Sequence, residues 1–185
     1  TNSNQKFRRV TYSTKEGIVI WYLLACQEQE EENVLLLCKE RLSQRAILDA
    51  FILTYDRMCR YKGAWHLEQK QLFPASVFLE SEDVQTLTRE LAVCLAPAKQ
   101  RNCLIPLNQE EEVFLKSLCG DERHLRISRG IILKGITKIT EGPLMGLEDR
   151  ICKIDRHKRL AKVATTVRQN NHYIPAGLEI TEKIL

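Results

Sequence analysis

The residues best equipped for chemistry in this chain fall within one short span. Lys153, Arg156, His157, Lys158, Arg159 and Lys162 set five cations and an imidazole within residues 153–162. Lysine offers a phosphate oxygen a mobile point charge, whereas arginine offers a planar fork that bonds two oxygens and stacks on unpaired bases. That is the chemistry of recognising a polyanion, and it breaks no bond. Signals of catalysis are weak beside it. Gly130 and Gly135 have the spacing of a phosphate-binding loop, but Ile136 stands where such a loop needs lysine, and Ile131, Ile132 and Leu133 read as a strand. No G-x-S-x-G, H-E-x-x-H or dinucleotide fingerprint occurs, and His66, His124, His157 and His172 lack metal-ligand spacing. The expectation is a binding protein, not an enzyme, with no metal and no cofactor.

The cationic residues need elements to hold them. Residues 150–155 alternate around Ile151 and Ile154, and 160–167 carry Leu160, Ala161, Val163, Ala164 and Val167, so two short strands joined by the basic tip 156–159 are expected. Just upstream, Gly142, Pro143 and Gly146 suit a tight turn, because glycine reaches positive φ without a Cβ clash and proline presets its own φ. A single-sheet module this small is expected to close on itself. Charge sets it apart: residues 123–185 hold 13 Lys and Arg against 6 Asp and Glu, whereas 1–122 hold 15 against 18. The basic part suits a polyanion and the acidic part does not.

The longer N-terminal part reads as alternating strands and helices. Residues 1–17 are polar and basic and are expected to form a flexible arm with no secretory signal. A buried strand is expected over 18–25, followed by a helix over 28–45 with acids first, bases last, and Val34, Cys38, Leu42 and Ala46 on its apolar face. Residues 50–61 and 65–73 flank Lys62-Gly63-Ala64 as a hairpin whose tip displays Arg57, Arg60, Lys62 and His66. A strand over 73–80 leads to Ser81 as the N-cap of a helix over 82–93, with Val84, Leu87 and Leu91 facing inward. After a loop at Pro97, residues 104–107 form an edge strand. Asn108 and Glu111 then make a capping-box pair for a helix that buries Val113, Phe114, Leu115 and Leu118 and ends at Gly120. The predicted class is α+β: an α/β sandwich on a mainly antiparallel sheet, then a small β module. No apolar run is long enough for a membrane span. Cys26, Cys38, Cys59, Cys94, Cys103, Cys119 and Cys152 show no C-x-x-C pair, which points to reduced thiols in a cytoplasmic protein.

Three sets of residues carry a resemblance. Gly142, Pro143, Leu144, Gly146, Leu147, Ile151 and Ile154 resemble the KOW motif of NusG-type transcription factors and some ribosomal proteins. Asp149 stands where that motif usually has glycine, and aspartate is one of the few residues that tolerate left-handed φ. Trp21-Tyr22 resembles the strand that opens the NusG N-terminal domain, and Phe73-Pro74-Ala75-Ser76-Val77-Phe78 resembles its Phe-Pro-Gly-Tyr-Val-Phe, with Ala75 and Ser76 replacing Gly-Tyr. KGAWHLEQKQLFP from Lys62, IPLNQEEEVFLKSL from Ile105, IDRHKRLAKV from Ile154 and GLEITEK from Gly177 are similar to the LoaP-type antiterminators, a specialised bacterial branch of the NusG family.

The resemblance implies an N-terminal NusG-type domain over 18–119, a linker over 120–126 and an SH3-like KOW β-barrel over 127–185. The first would bind the clamp helices of RNA polymerase through an exposed apolar patch including Trp21, Tyr22, Phe73, Val77 and the neighbouring hairpin. It further implies a processive antitermination factor whose basic barrel holds nascent RNA, such as a leader hairpin, with upstream or non-template DNA as a further contact. The alternative is a general elongation or termination factor whose barrel docks a protein. A monomer is expected.

Overall fold

Successive side chains of a strand point to opposite faces, and in the first strand both faces are apolar. β1 (Ile20–Ala25) sends Trp21 and Leu23 one way and Tyr22 and Leu24 the other, and all four are buried. Such a strand belongs at the centre of a sheet covered on both sides. The computed structural model, which describes residues 18–95, 104–168 and 171–184, places it there. β1 lies between β5 (Ser76–Ser81) and β6 (Leu104–Pro106), with β2 (Asp49–Phe51) beyond β5, and every pairing is antiparallel. The arm expected over 1–17, the loop at Pro97 and Cys103 lie outside the described residues.

One face of this sheet is covered by α1 (Glu31–Arg41) and α2 (Val84–Cys94). Val34, Cys38, Leu42 and Ala46 are buried there with Leu87 and Leu91 against Tyr22, Leu24, Val77 and Leu79. Ser81 does not cap α2. Its hydroxyl donates to Ala46 O at 2.6 Å, and the cap is Asp83, whose carboxylate accepts Thr86 N–H at 3.0 Å. Val84, at the first helical position, is consequently exposed.

The other face carries α3 (Gln109–Cys119), begun by the Asn108–Glu111 capping box and ended by Gly120 at φ 60°. Leu115, Leu118 and Cys119 form its buried stripe. Val113 lies on the far side of the helix, two positions from Leu115, and is exposed. On this face Trp21, Phe51, Phe73 and Phe78 pack edge to face or stacked, with centroids 4.8–6.2 Å apart.

The strand expected over 50–61 is two strands. It breaks after β2, where Leu53 turns fully inward, and β3 (Thr54–Tyr61) begins a second sheet with β4 (Ala64–Gln71) and the short parallel β7 (His124–Leu125). Lys62 and Gly63 make the two-residue turn, at φ 51° and 77°.

The remaining strands are β8 (Ser128–Leu133), β9 (Ile136–Glu141), β10 (Ile151–Asp155), β11 (Leu160–Arg168) and β12 (Asn171–Ile184). They form one sheet in the order β10-β11-β12-β8-β9, antiparallel except between β12 and β8. The module expected to close on itself stays open: among the described residues no ladder joins β9 to β10. Both parts of the chain share one core, running from Trp21 and Phe78 through Leu125 and Leu144 to Val163, Ile174 and Leu178. β12 passes so close to β3 that a Cβ on Gly177 would lie 2.5 Å from Asp56 O. Within residues 120–126, Arg123 and His124 are tied to the first part of the chain and Leu125 is buried in the common core, while Gly120, Asp121, Glu122 and Arg126 are exposed. Arg123 sits over the rings of Trp21 and Phe51 and pairs with Glu80 at 3.3 Å, while Asp56 accepts from Ile127 N–H at 3.0 Å and contacts His124 Nε2 at 2.8 Å. Among the described residues no helix is long and apolar enough to cross a membrane.

Candidate nucleic-acid interface

The basic span folds as a hairpin because its ends alternate and its middle does not. β10 and β11 pair with Lys153 opposite Lys162, Ile154 opposite Ala161 and Asp155 opposite Leu160, leaving 156–159 as the turn. Residues directly opposite share a face, so Ile154 and Ala161 turn to the core while Lys153 and Lys162 stand side by side in solvent. Like charges in that relation destabilise a ladder, and a bound polyanion would remove the cost. Lys162 is partly relieved already, its ammonium lying 4.3 Å from the centre of the Tyr173 ring.

Within the turn, Asp155 accepts Lys158 N–H at 3.0 Å, which fixes the bend locally. Arg156, His157 and Lys158 are exposed at its apex. Arg159 behaves differently from its neighbours. It adopts φ 48°, pairs with Glu179 at 2.7 Å, and lays its guanidinium over the Trp65 ring at 4.2 Å. Glu179 also meets Arg129 at 3.4 Å. The structure therefore brings Lys153, Arg156, His157, Lys158 and Lys162 together as an exposed set and takes Arg159 out of it as a strap to the β3–β4 hairpin. Nothing local in the sequence marks that strap, since Trp65 and Glu179 come from distant strands.

At the tip of that second hairpin, Arg60 and Lys62 are exposed, while Tyr61 and His66 stack at 3.7 Å between centroids. Its other half-exposed cation, Arg57, lies further from the turn.

The four residues expected on an exposed apolar patch are all buried: Trp21 0%, Tyr22 6%, Phe73 3% and Val77 0%. Nor do they share a face. Trp21 and Phe73 belong to the core common to both parts of the chain, and Tyr22 and Val77 to the core under α1 and α2. At the two positions where the resemblance expects Gly-Tyr, Ala75 is held at φ 56° with its N–H donated to the buried Glu31 at 2.6 Å, and Ser76 is buried.

The glycine turn beneath the hairpin is tightly built. Gly142 has φ 98°, and a Cβ there would lie 2.7 Å from Ser128 Cα and Oγ. Ser128 Oγ accepts Leu144 N–H at 3.1 Å, which holds Leu144 in the core, and Pro143 stands between. Gly146, at φ 79°, leads into a 3-10 turn, Glu148–Arg150. Asp149 therefore lies in a 3-10 turn and not at the left-handed position considered for it. Backbone N–H groups of Glu148 itself and Ile139, with Gly146 adding, hold the Glu148 carboxyl below its ordinary range.

Burial pushes the thiols of Cys38 and Cys119 up to about 12, keeping both protonated at neutral pH. No group of three or more His, Cys, Asp or Glu among the described residues is placed to hold a metal ion.

No protein-family model and no curated protein matches the chain. Among solved structures it is similar to one described as "Domain interaction in Thermotoga maritima NusG", at 18% identity and a TM-score of 0.49 over 88% of this chain and 94% of that one.

Proposed function

We propose that the chain is a transcription antitermination factor of the kind its sequence resembles, the LoaP-type branch of the NusG family, and that its β10–β11 hairpin binds nascent RNA. The observation that carries this reading is the exposed set Lys153, Arg156, His157, Lys158 and Lys162 on one hairpin. Phosphate contacts supply affinity by releasing counterions, and such contacts need cations that project from a rigid support. Arg156 adds planar recognition of bases splayed out of a loop, and His157 adds a ring for stacking.

RNA polymerase is the second proposed partner, bound by the N-terminal part. Because Trp21, Tyr22, Phe73 and Val77 are buried, the proposed contact moves to the neighbouring β3–β4 hairpin, where Tyr61 and Leu67 are exposed. The factor would act stoichiometrically, its effect coming from tighter binding to the pause-resistant state of the enzyme.

Measuring RNA affinity against salt tests the hairpin. If Arg156 and Lys158 each neutralise a phosphate, replacing both with alanine should flatten the log-affinity against log-salt slope by about 1.4–1.8 units. Both side chains are exposed, so folding should survive. An unchanged slope and affinity in the folded double variant would take the RNA site away from this hairpin.

A further inference from the structure

A sheet edge is where a chain still has backbone hydrogen bonds to offer. Among the described residues β4 is bonded on one side only, to β3, and it is the longest such edge: eight residues, against three in β2 and in β6, two in β7, six in β9 and five in β10. The turn decides which of its backbone groups face outward. Tyr61 and Ala64 close a two-residue hairpin and bond to each other, and past the other end of β4 Leu72 N–H donates to Leu53 O at 2.8 Å. Bonding alternates along the strand, so Ala64, His66, Glu68 and Lys70 bond toward β3, while the N–H and C=O of Trp65, Leu67, Gln69 and Gln71 point off the sheet. The devices that usually blunt such an edge are missing from β4. It has no proline, its register with β3 runs unbroken, and near its middle stands Leu67, 57% exposed.

We infer that β4 is a self-association edge, pairing antiparallel with β4 of a second copy of this chain about a two-fold axis at Leu67. The strand's own sequence selects that occupant and that register. Only registers that set outward-bonding residues opposite one another can form a ladder. Centring on Glu68 places two carboxylates directly opposite, which destabilises a ladder. Centring on His66 or on Gln69 shortens the overlap to residues 64–68 or 67–71. Centring on Leu67 overlaps residues 64–70 of both copies and sets Leu67 against Leu67, Trp65 against Gln69, His66 against Glu68 and Ala64 against Lys70. Glu68 and Lys70 already neutralise each other within one chain at 2.8 Å, so the gain is chiefly apolar, as two exposed leucines leave water together. Leu67 also belongs to the surface proposed for polymerase, so the paired form would withhold that surface. The inference does not rest on the polymerase reading and is tested on the chain alone.

The test is sedimentation of the full chain from about 1 μM to about 1 mM, with amide exchange measured at both ends of that range. Association should appear within the range, and exchange at Trp65, Leu67 and Gln69 should slow with it. His66 and Glu68, bonded to β3 throughout, should stay protected at both ends. Leu67→Glu and Leu67→Lys should each weaken association at least about tenfold, because each sets like charges opposite one another, and an equimolar mixture of the two should regain it. The position is exposed, so both variants should fold, which exchange at His66 and Glu68 reports. A monomer throughout the range, association unchanged by either variant, or a mixture that associates no better than its components overturns the inference. So does protection of Trp65, Leu67 and Gln69 that is independent of concentration, which would show the edge to be covered within one chain.

Discussion

Single residues in this protein reveal where the chain departs from what its motifs suggest. Ala75 occupies a left-handed backbone position, φ 56°, at which the resembling motif has glycine. That conformation costs a residue with a Cβ about 1–2 kcal/mol, so Ala75→Gly should stabilise the protein by about 1 kcal/mol, read as a higher urea midpoint at unchanged slope. A lower midpoint would mean that the bond from Ala75 N–H to Glu31 holds the turn without strain. Arg159 gives the companion lesson. Its type and neighbours mark it as a phosphate ligand, but Glu179 and Trp65 hold its guanidinium. Sequence reading assigns side chains by type, whereas their employment depends on partners brought in by the fold.

Elements specified by neighbouring residues were the most legible. The Asn108–Glu111 capping box, the Lys62-Gly63 turn and the basic hairpin all form from contacts within a few positions, and each stands where the local pattern puts it. The cap of α2 was misread because Ser81 and Asp83 are both good caps, and only the distant Ala46 carbonyl decides which hydroxyl or carboxylate is free. Closure of the C-terminal sheet was misread for a similar reason, since it depends on two edge strands meeting across a groove. The turn between those strands carries a pH dependence. In the folded state Glu148 lies below its ordinary value of 4.5, because backbone N–H groups stabilise the carboxylate. A depressed carboxyl contributes stability that is complete above its unfolded value and lost as pH falls through the folded one. Amide exchange at Ile139 should therefore accelerate below about pH 4.5, and Glu148→Gln should remove that dependence. Exchange that does not change with pH beyond its intrinsic rate in the native protein would show that the Glu148 bond does not hold the turn.

At the scale of the whole molecule, the separation of charge into an acidic first part and a basic second part was readable, and the continuity of their core was not. Apolar residues announce burial without naming the surface they meet. Phe73 illustrates this: the motif around it suggests a surface contact, yet its ring is 3% exposed and lies 5.4 Å from Phe78. Phe73→Ala should cost about 3–5 kcal/mol, seen as a large drop in the unfolding midpoint. Normal stability combined with lost polymerase binding would return Phe73 to the surface role. Because the same core reaches Leu178, fluorescence of Trp21 and amide signals from β12 should report one coincident transition.

The proposed role that joins these scales is the lengthening of transcripts by a chain that would hold nascent RNA on its β10–β11 hairpin. The most direct measurement is transcriptome-wide mapping of RNA 3′ ends in cells with the chain, without it, and with the Arg156→Ala, Lys158→Ala double variant. The account predicts that a defined set of transcripts extends past terminators only when the unaltered chain is present. It is contradicted if 3′ ends are the same in all three, or if the double variant extends the same transcripts to the same degree.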